Sequence, residues 1–146
     1  MPTDSLSLDG SWTLHGGPGG LVPCHPDGLA TAGLRALAAT VPGNVELALH
    51  AAGLGPDPLV APGTWDYVRY EQWAWWYERT FTCPPGLAAA WRTELVLDGL
   101  DCIGSVWLNG VHLGDTANAL VAHRLDATRA TAPVSYTHLR AHETVL

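Results

Sequence analysis

The chain has 146 residues, enough for one ordinary domain and too few for a (β/α)8 barrel, which takes roughly 250. Hydrophobic residues make up 47%, which permits a real core and excludes disorder over most of the length; charged residues reach only 14%, against about 25% in a typical soluble domain, so much of the surface is neutral or suited to being covered. A formal charge of −7, no lysine and seven scattered arginines exclude a basic groove for nucleic acid.

In chain order, Asp9-Gly10 is a turn signal and Ser11-Trp12-Thr13-Leu14 a short strand candidate. Residues 16–33 are rich in Gly and Pro and read as a loop; their glycines form no GxGxxG after a strand, so no phosphate cradle is expected. Residues 34–41 are apolar and compatible with either regular state. Asn44 is a good N-cap for a helix over 45–52, in which Val45, Ala48, Leu49 and Ala52 form one apolar stripe and Gly53 supplies the positive-φ stop. Residues 53–66, with Pro56, Pro58 and Pro62, predict an extended loop.

From Trp73 the pattern becomes strand-like. Trp75, Tyr77 and Phe81 share one face, Trp76, Glu78, Thr80 and Thr82 the other, and Arg79 breaks the first. Pro84-Pro85-Gly86 ends that strand. Residues 93–98 and 102–108 are further β-type runs joined through Asp98-Gly99. Asn109-Gly110 between Val106-Trp107-Leu108 and Val111-His112-Leu113 predicts a type I′ hairpin, because that turn needs positive φ at both central residues. Residues 120–126 are the last clear strand. Many short strands with closely spaced turns indicate an all-β sandwich with one short helix.

The three cysteines, Cys24, Cys83 and Cys102, form no CxxC and leave one unpaired in any disulfide scheme, which predicts reduced thiols in a cytoplasmic protein. The start, Met1-Pro2-Thr3-Asp4-Ser5-Leu6, lacks the basic, apolar pattern of a signal peptide, and no stretch approaches the ~20 apolar residues of a membrane span. Neither a membrane partner nor a cofactor is expected.

Several blocks resemble the N-terminal domain of family 2 glycoside hydrolases, most of all its β-mannosidase branch. They are Leu8-Asp9-Gly10-Ser11-Trp12, Ala39-Thr40-Val41-Pro42-Gly43-Asn44-Val45, Ala52-Gly53-Leu54-Gly55-Pro56-Asp57-Pro58 and Trp75-Trp76-Tyr77-Glu78-Arg79-Thr80-Phe81. The longest runs from Leu97-Asp98-Gly99-Leu100-Asp101 into Val106-Trp107-Leu108-Asn109-Gly110-Val111-His112-Leu113-Gly114, and Asn118 and His123-Arg124-Leu125-Asp126 close the series. Each block is short; their shared order and spacing across residues 8–128 is specific. The resemblance implies a galactose-binding-like jelly roll that packs against a distant catalytic barrel. Relatives tend to carry an Asn-Glu pair in the loop after the Asp-Pro, where this chain has Val60-Ala61-Pro62-Gly63-Thr64-Trp65-Asp66, so sugar contact through that pair is not expected.

Residues 134–144, Val-Ser-Tyr-Thr-His-Leu-Arg-Ala-His-Glu-Thr, resemble one reading frame of a transposase-type sequencing adapter. The expectation is therefore a β-sandwich over 1–133, incomplete at its C-terminal end with an unpaired edge and an open apolar face, and a segment 134–146 outside it. His138 and His142 at i, i+4 with Glu143 alongside are not HExxH, and a metal role is not expected.

Retaining glycoside hydrolysis needs two carboxyl groups roughly 5–5.5 Å apart. Glu71 with Glu78, or Asp98 with Asp101, are nominal pairs, but outward alternation of Glu78 and the turn preference of Asp explain them without catalysis. In the resembled family the catalytic carboxylates lie in the barrel, so this chain should be inactive alone. The seven tryptophans offer indole faces for sugar stacking, against the plainer role of core packing; Trp12 and Trp107, in strands, are expected in the core. Trp73, Trp75 and Trp76 cluster at a loop-to-strand junction. Trp65, Asp66, Glu71 and Trp75 are the candidate substrate-binding residues. Two functions follow: the N-terminal fragment of a β-mannosidase-like hydrolase, with a β-mannoside or related glycoside and the downstream barrel as partners, or a stand-alone carbohydrate-binding module. His112 and His123 are expected to be half-buried hydrogen-bonding residues, not ligands.

Overall fold

The computed structural model describes residues 4–60 and 63–142. Strand β1 (Gly10–Pro18) lies between β2 (Arg35–Val41) and β3 (Trp73–Thr82), and β8 (Val134–His142) lies between β3 and β5 (Ile103–Leu108), which pairs on its far side with β6 (Val111–Thr116). The resulting six-stranded sheet, β2-β1-β3-β8-β5-β6, is antiparallel at every step. Facing it is a two-stranded antiparallel sheet of β4 (Glu94–Leu97) and β7 (His123–Asp126). The expected all-β sandwich is what the chain forms, with the helix α1 (Val45–Ala51), a single helical turn α2 (Pro85–Ala88) and three 3₁₀ segments as additions to the one helix expected.

Period-two alternation explains the packing. Trp12 and Leu14 of β1, Trp75 of β3, Val106 of β5 and Leu139 of β8 are buried between the sheets with Val45, Ala48 and Leu49 of α1. The helix begins where expected: Asn44 Oδ1 accepts the Leu47 amide at 3.0 Å, and Gly53 takes φ +72° after its end. Ala52, expected on the buried stripe, is exposed because the helix stops at Ala51. The hairpin turn is also as expected, with φ +51° at Asn109 and +77° at Gly110.

The outer face of the large sheet is apolar at one end. Trp76 and Trp107 lie there with Ala74, under Val22 and Leu29 of the Gly/Pro-rich stretch, and Trp76 Nε1 donates to Pro23 O at 3.0 Å. Burying one such indole removes 150–250 Å² from water, about 4–6 kcal/mol as an upper figure. The stretch expected to be a plain loop over 16–33 is thus partly strand, through Pro18, and partly a cover built from two 3₁₀ turns, Gly19–Leu21 and Pro26–Thr31. Arg79 does not disrupt the inner face of β3: its guanidinium donates to Leu8 O at 2.7 Å and Asp9 O at 2.8 Å and lies over the Trp12 ring.

Two expectations are corrected by pairing over long sequence distances. The runs at 93–98 and 102–108 are not a hairpin, since β4 pairs with β7 and β5 with β6 and β8. Residues 134–142, expected to stand outside a fold whose pattern stops near Ala130, form a central strand instead. Without it β3 and β5 would each present an unpaired edge; with it the sheet is continuous, and Ser135, Thr137 and Leu139 turn inward.

The chemistry of that strand is mixed. Ser135 is satisfied by Ala132, accepting its amide at 3.2 Å and donating to its carbonyl at 2.8 Å. Thr137 Oγ1 is buried with no hydrogen-bond partner among the described residues, as are His138 Nδ1 and Arg140 Nε of the same strand. Thr137→Val keeps the shape and removes a desolvated hydroxyl, so it should stabilise the chain by about 1 kcal/mol. Urea unfolding measures this, and a loss of stability would show that the hydroxyl is satisfied in solution.

Candidate functional site

Residues 53–60 and 63–72 belong to the connection between α1 and β3. Asp57 Oδ1 accepts the Leu59 amide at 2.9 Å, and Gly63–Tyr70 forms a 3₁₀ helix, a geometry in which residues three apart stack on one side. Tyr67 and Tyr70 occupy that side, and Trp73 follows at the same interval. Tyr67 is buried, its hydroxyl donates to Pro56 O, and its ring fits only because Gly55 has no side chain: a Cβ there would stand 2.6 Å from the hydroxyl oxygen. Burial, reinforced by Glu46, raises the Tyr67 pKa, so the phenol stays protonated as a donor. Tyr70 meets Trp73 edge-on at 4.9 Å, and Trp73 lies 5.4 Å from Trp75, centroid to centroid. Arg69 ties the segment down further, donating to Leu54 O at 2.7 Å and covering the Tyr70 ring at 4.9 Å.

This aromatic ladder decides where the four candidate residues go. Trp65 is 77% exposed, and Asp66 and Glu71 are exposed on the same anchored segment. Leu59, Val60 and Val68 of the same α1–β3 connection are exposed as well. An exposed indole beside carboxylates can stack on the C–H face of a sugar ring and accept hydrogen bonds from its hydroxyls. Trp75 does not belong with them. It is 1% exposed in the inter-sheet core, flat against Gly16, where a Cβ would stand 2.0 Å from the ring, and its placement there is dictated by inward alternation on β3. No sugar reaches it. The anchors Tyr67, Tyr70 and Gly55 escaped notice in the sequence, although the three-residue spacing Tyr67–Tyr70–Trp73 was a usable signal.

Of the nominal carboxylate pairs, Glu71 and Glu78 are divided between different surroundings. Glu71 is exposed in the turn before β3, whereas Glu78 sits on the outer face of the large sheet, 2.8 Å from His15 Nε2 and 3.6 Å from His138 Nε2. Asp98 and Asp101 are exposed in the β4–β5 connection. His112 and His123 are hydrogen-bonded, to Asp115 at 2.9 Å and Asn118 O at 2.8 Å; His123 is half-buried as expected, but His112, opposite Trp107 on the edge strand β6, is exposed. Hydrogen bonds from Ser105 and His112 hold the Asp115 pKa down. Cys24, Cys83 and Cys102 are free thiols. Among the described residues no three His, Cys, Asp or Glu side chains come together as a metal site; Glu143 lies outside the described residues.

Two measurements separate these placements. Trp75→Ala should cost about 3–5 kcal/mol of stability, and Trp65→Ala should change it by less than about 0.5 kcal/mol; similar losses from both would mean that Trp65 is packed. The second concerns His138, whose pKa burial lowers against the opposing pull of Glu78. A folded pKa below the unfolded value of about 6.5 means that the unfolded chain binds the proton more readily, so this contribution to stability is complete above that pH and is lost as pH falls below it. Melting curves from about pH 7 to about pH 5.5 should show a steeper decline for the natural chain than for His138→Gln; parallel declines would contradict it.

Residues 26–143 match the family described as glycosyl hydrolase 2 galactose-binding domain-like. The β-mannosidase of Mus musculus is 30% identical over 141 residues, which take in 97% of this chain and 14% of that protein. The β-mannosidase B of Thermothelomyces thermophilus is 33% identical over 87 residues, 60% of this chain and 10% of that protein. Among solved structures, the β-D-mannosidase from Dictyoglomus thermophilum shares the fold with a TM-score of 0.76 at 24% identity, over 94% of this chain and 15% of that one. A β-glucuronidase of Ruminococcus gnavus shares it with a TM-score of 0.63 at 17% identity, over 97% of this chain and 22% of that one. The chain thus spans about 14–15% of the length of the mammalian β-mannosidases that it matches.

Proposed function

This chain belongs to the glycosyl hydrolase 2 galactose-binding domain-like family, and from that premise we propose that it is the N-terminal domain of a β-mannosidase-type enzyme, forming one wall of the sugar pocket. The observation that carries this is the match to mammalian β-mannosidase across 97% of the chain. The exposed Trp65 with Asp66 and Glu71, on a segment locked to the core through Tyr67 and Tyr70, supports a surface that meets either the glycoside or the catalytic domain beside it. The substrate is a terminal β-mannoside or a related β-glycoside. Its hydrolysis, with retention through a carboxylate pair about 5–5.5 Å apart, belongs to a barrel that 146 residues cannot enclose.

No helix among the described residues is long and apolar enough to cross a membrane. The three free thiols support a reducing cytoplasmic setting.

Purified as it is, the chain should release no product from a chromogenic β-mannoside. In an enzyme that carries this domain, Trp65→Ala should raise KM about three- to ten-fold and leave kcat nearly unchanged, because a wall residue contributes binding that substrate and transition state share. Turnover by the 146-residue chain alone would overturn this assignment.

A further inference from the structure

Four of the seven histidines, His15, His25, His112 and His138, gather around the indoles of Trp76 and Trp107 on the outer face of the large sheet. The two indole centroids lie 5.0 Å apart, and the cover, residues 22–31, closes over them through Val22 and Leu29. A polar bond ties the cover to the sheet, from Trp76 Nε1 to Pro23 O at 3.0 Å.

Two of these imidazoles have surroundings that suit only the uncharged ring. His25 Nδ1, at the start of the Pro26–Thr31 turn, accepts the Asp27 amide at 3.3 Å. A proton on that nitrogen removes the acceptor and redirects it to the Asp27 carboxylate, also 3.3 Å away. His138 Nδ1 is buried with no hydrogen-bond partner among the described residues, so an imidazolium there would bury an N–H without an acceptor.

The charged groups facing His138 come from several elements. Glu78 on β3 stands 3.6 Å from its Nε2 and accepts from His15 Nε2 on β1 at 2.8 Å. Asp27 faces it from the cover. On β5 the residue opposite is the uncharged Trp107; beyond it, His112 on β6 is bonded to Asp115 at 2.9 Å. Arg140 follows two positions along β8, on the same face. Burial lowers the His138 pKa, Glu78 and Asp27 oppose that, and His15 adds to it. With the cover lifted, water reaches Nδ1 and the burial is relieved while Glu78 stays in place. The open form therefore holds the proton more tightly than the closed one, and falling pH favours opening.

We propose that residues 22–31 form a proton-released cover, closed over Trp76 and Trp107 while His25 and His138 are uncharged and lifting locally when both take up protons. Opening leaves the inter-sheet core intact and bares two adjacent indoles. The release falls in mildly acidic solution, around and below the ordinary histidine value of about 6.5. It is a property of this domain and requires neither a sugar nor a catalytic barrel.

The test is hydrogen exchange in the isotope-labelled 146-residue chain, corrected at each pH for the intrinsic rate. The Trp76 indole N–H reports the cover through its bond to Pro23 O, and the backbone amides of the β1–β3 ladder report the core. From about pH 7.5 to about pH 5.5 protection of the Trp76 indole should fall roughly ten-fold or more, and that of the ladder far less. His25→Asn keeps an acceptor for the Asp27 amide at every pH, and His138→Gln removes the second titrating ring. The double variant should keep the Trp76 indole equally protected at both pH values. Should it fail to fold, His25→Asn alone, at an exposed position, should roughly halve the logarithmic slope. The proposal is overturned by equal protection of the Trp76 indole in the natural chain at the two pH values. It is overturned equally by a parallel loss in the ladder, which is unfolding of the whole domain, or by a variant that keeps the natural pH dependence.

Discussion

The Trp75 indole lying across the bare backbone of Gly16 is the contact on which the arrangement of the sandwich depends. Gly16 is paired with Trp75 in the β1–β3 ladder, and its lack of a side chain lets the indole occupy the core as a large aromatic surface. Any side chain at Gly16 would meet the ring at less than contact distance, so the pair works only as glycine with tryptophan. From Trp75 the aromatic contacts continue outward through Trp73 and Tyr70, which fixes an otherwise irregular segment to the most rigid part of the molecule. A surface loop held in this way can present Trp65, Asp66 and Glu71 in a defined geometry without spending much ordering entropy when it is engaged.

The large sheet is buried on both faces at one end, for different reasons. Its inner face packs on the second sheet and α1, whereas its outer face carries Trp76 and Trp107 under a cover with little regular structure. Consecutive tryptophans on β3, pointing to opposite sides, bind the two layers together. The neighbouring part of the outer face is polar, with Glu78 between His15 and His138. Low charge content fits a surface that leaves several large apolar side chains exposed, among them Trp65, Trp91 and Leu120.

Local chemistry was legible in the sequence. The Asn44 cap, the Asn109-Gly110 hairpin and the alternation of β3 each depend on residues within a few positions of one another, and each appears in the structure. What stayed illegible depended on partners far along the chain. Arg79 looked like a break in an apolar face because its acceptors, Leu8 O and Asp9 O, are some seventy positions away. Trp75 looked available to a ligand because nothing near it in the chain announces Gly16. Residues 134–142 looked extraneous because their partners, β3 and β5, lie far away in the chain; they fill the lane between those two strands, with the inward hydroxyl of Thr137 unpartnered among the described residues.

The sequence by itself determined the class of fold, the family resemblance and the absence of room for a hydrolytic barrel, because periodicity, turn chemistry and length are local or global sums that need no pairing information. Only the tertiary structure decided which strands are neighbours and which tryptophans are buried. Strand pairing is set by hydrogen bonds and contacts between residues distant in the chain, and alternating strands leave many pairings equally open until the core closes around one of them.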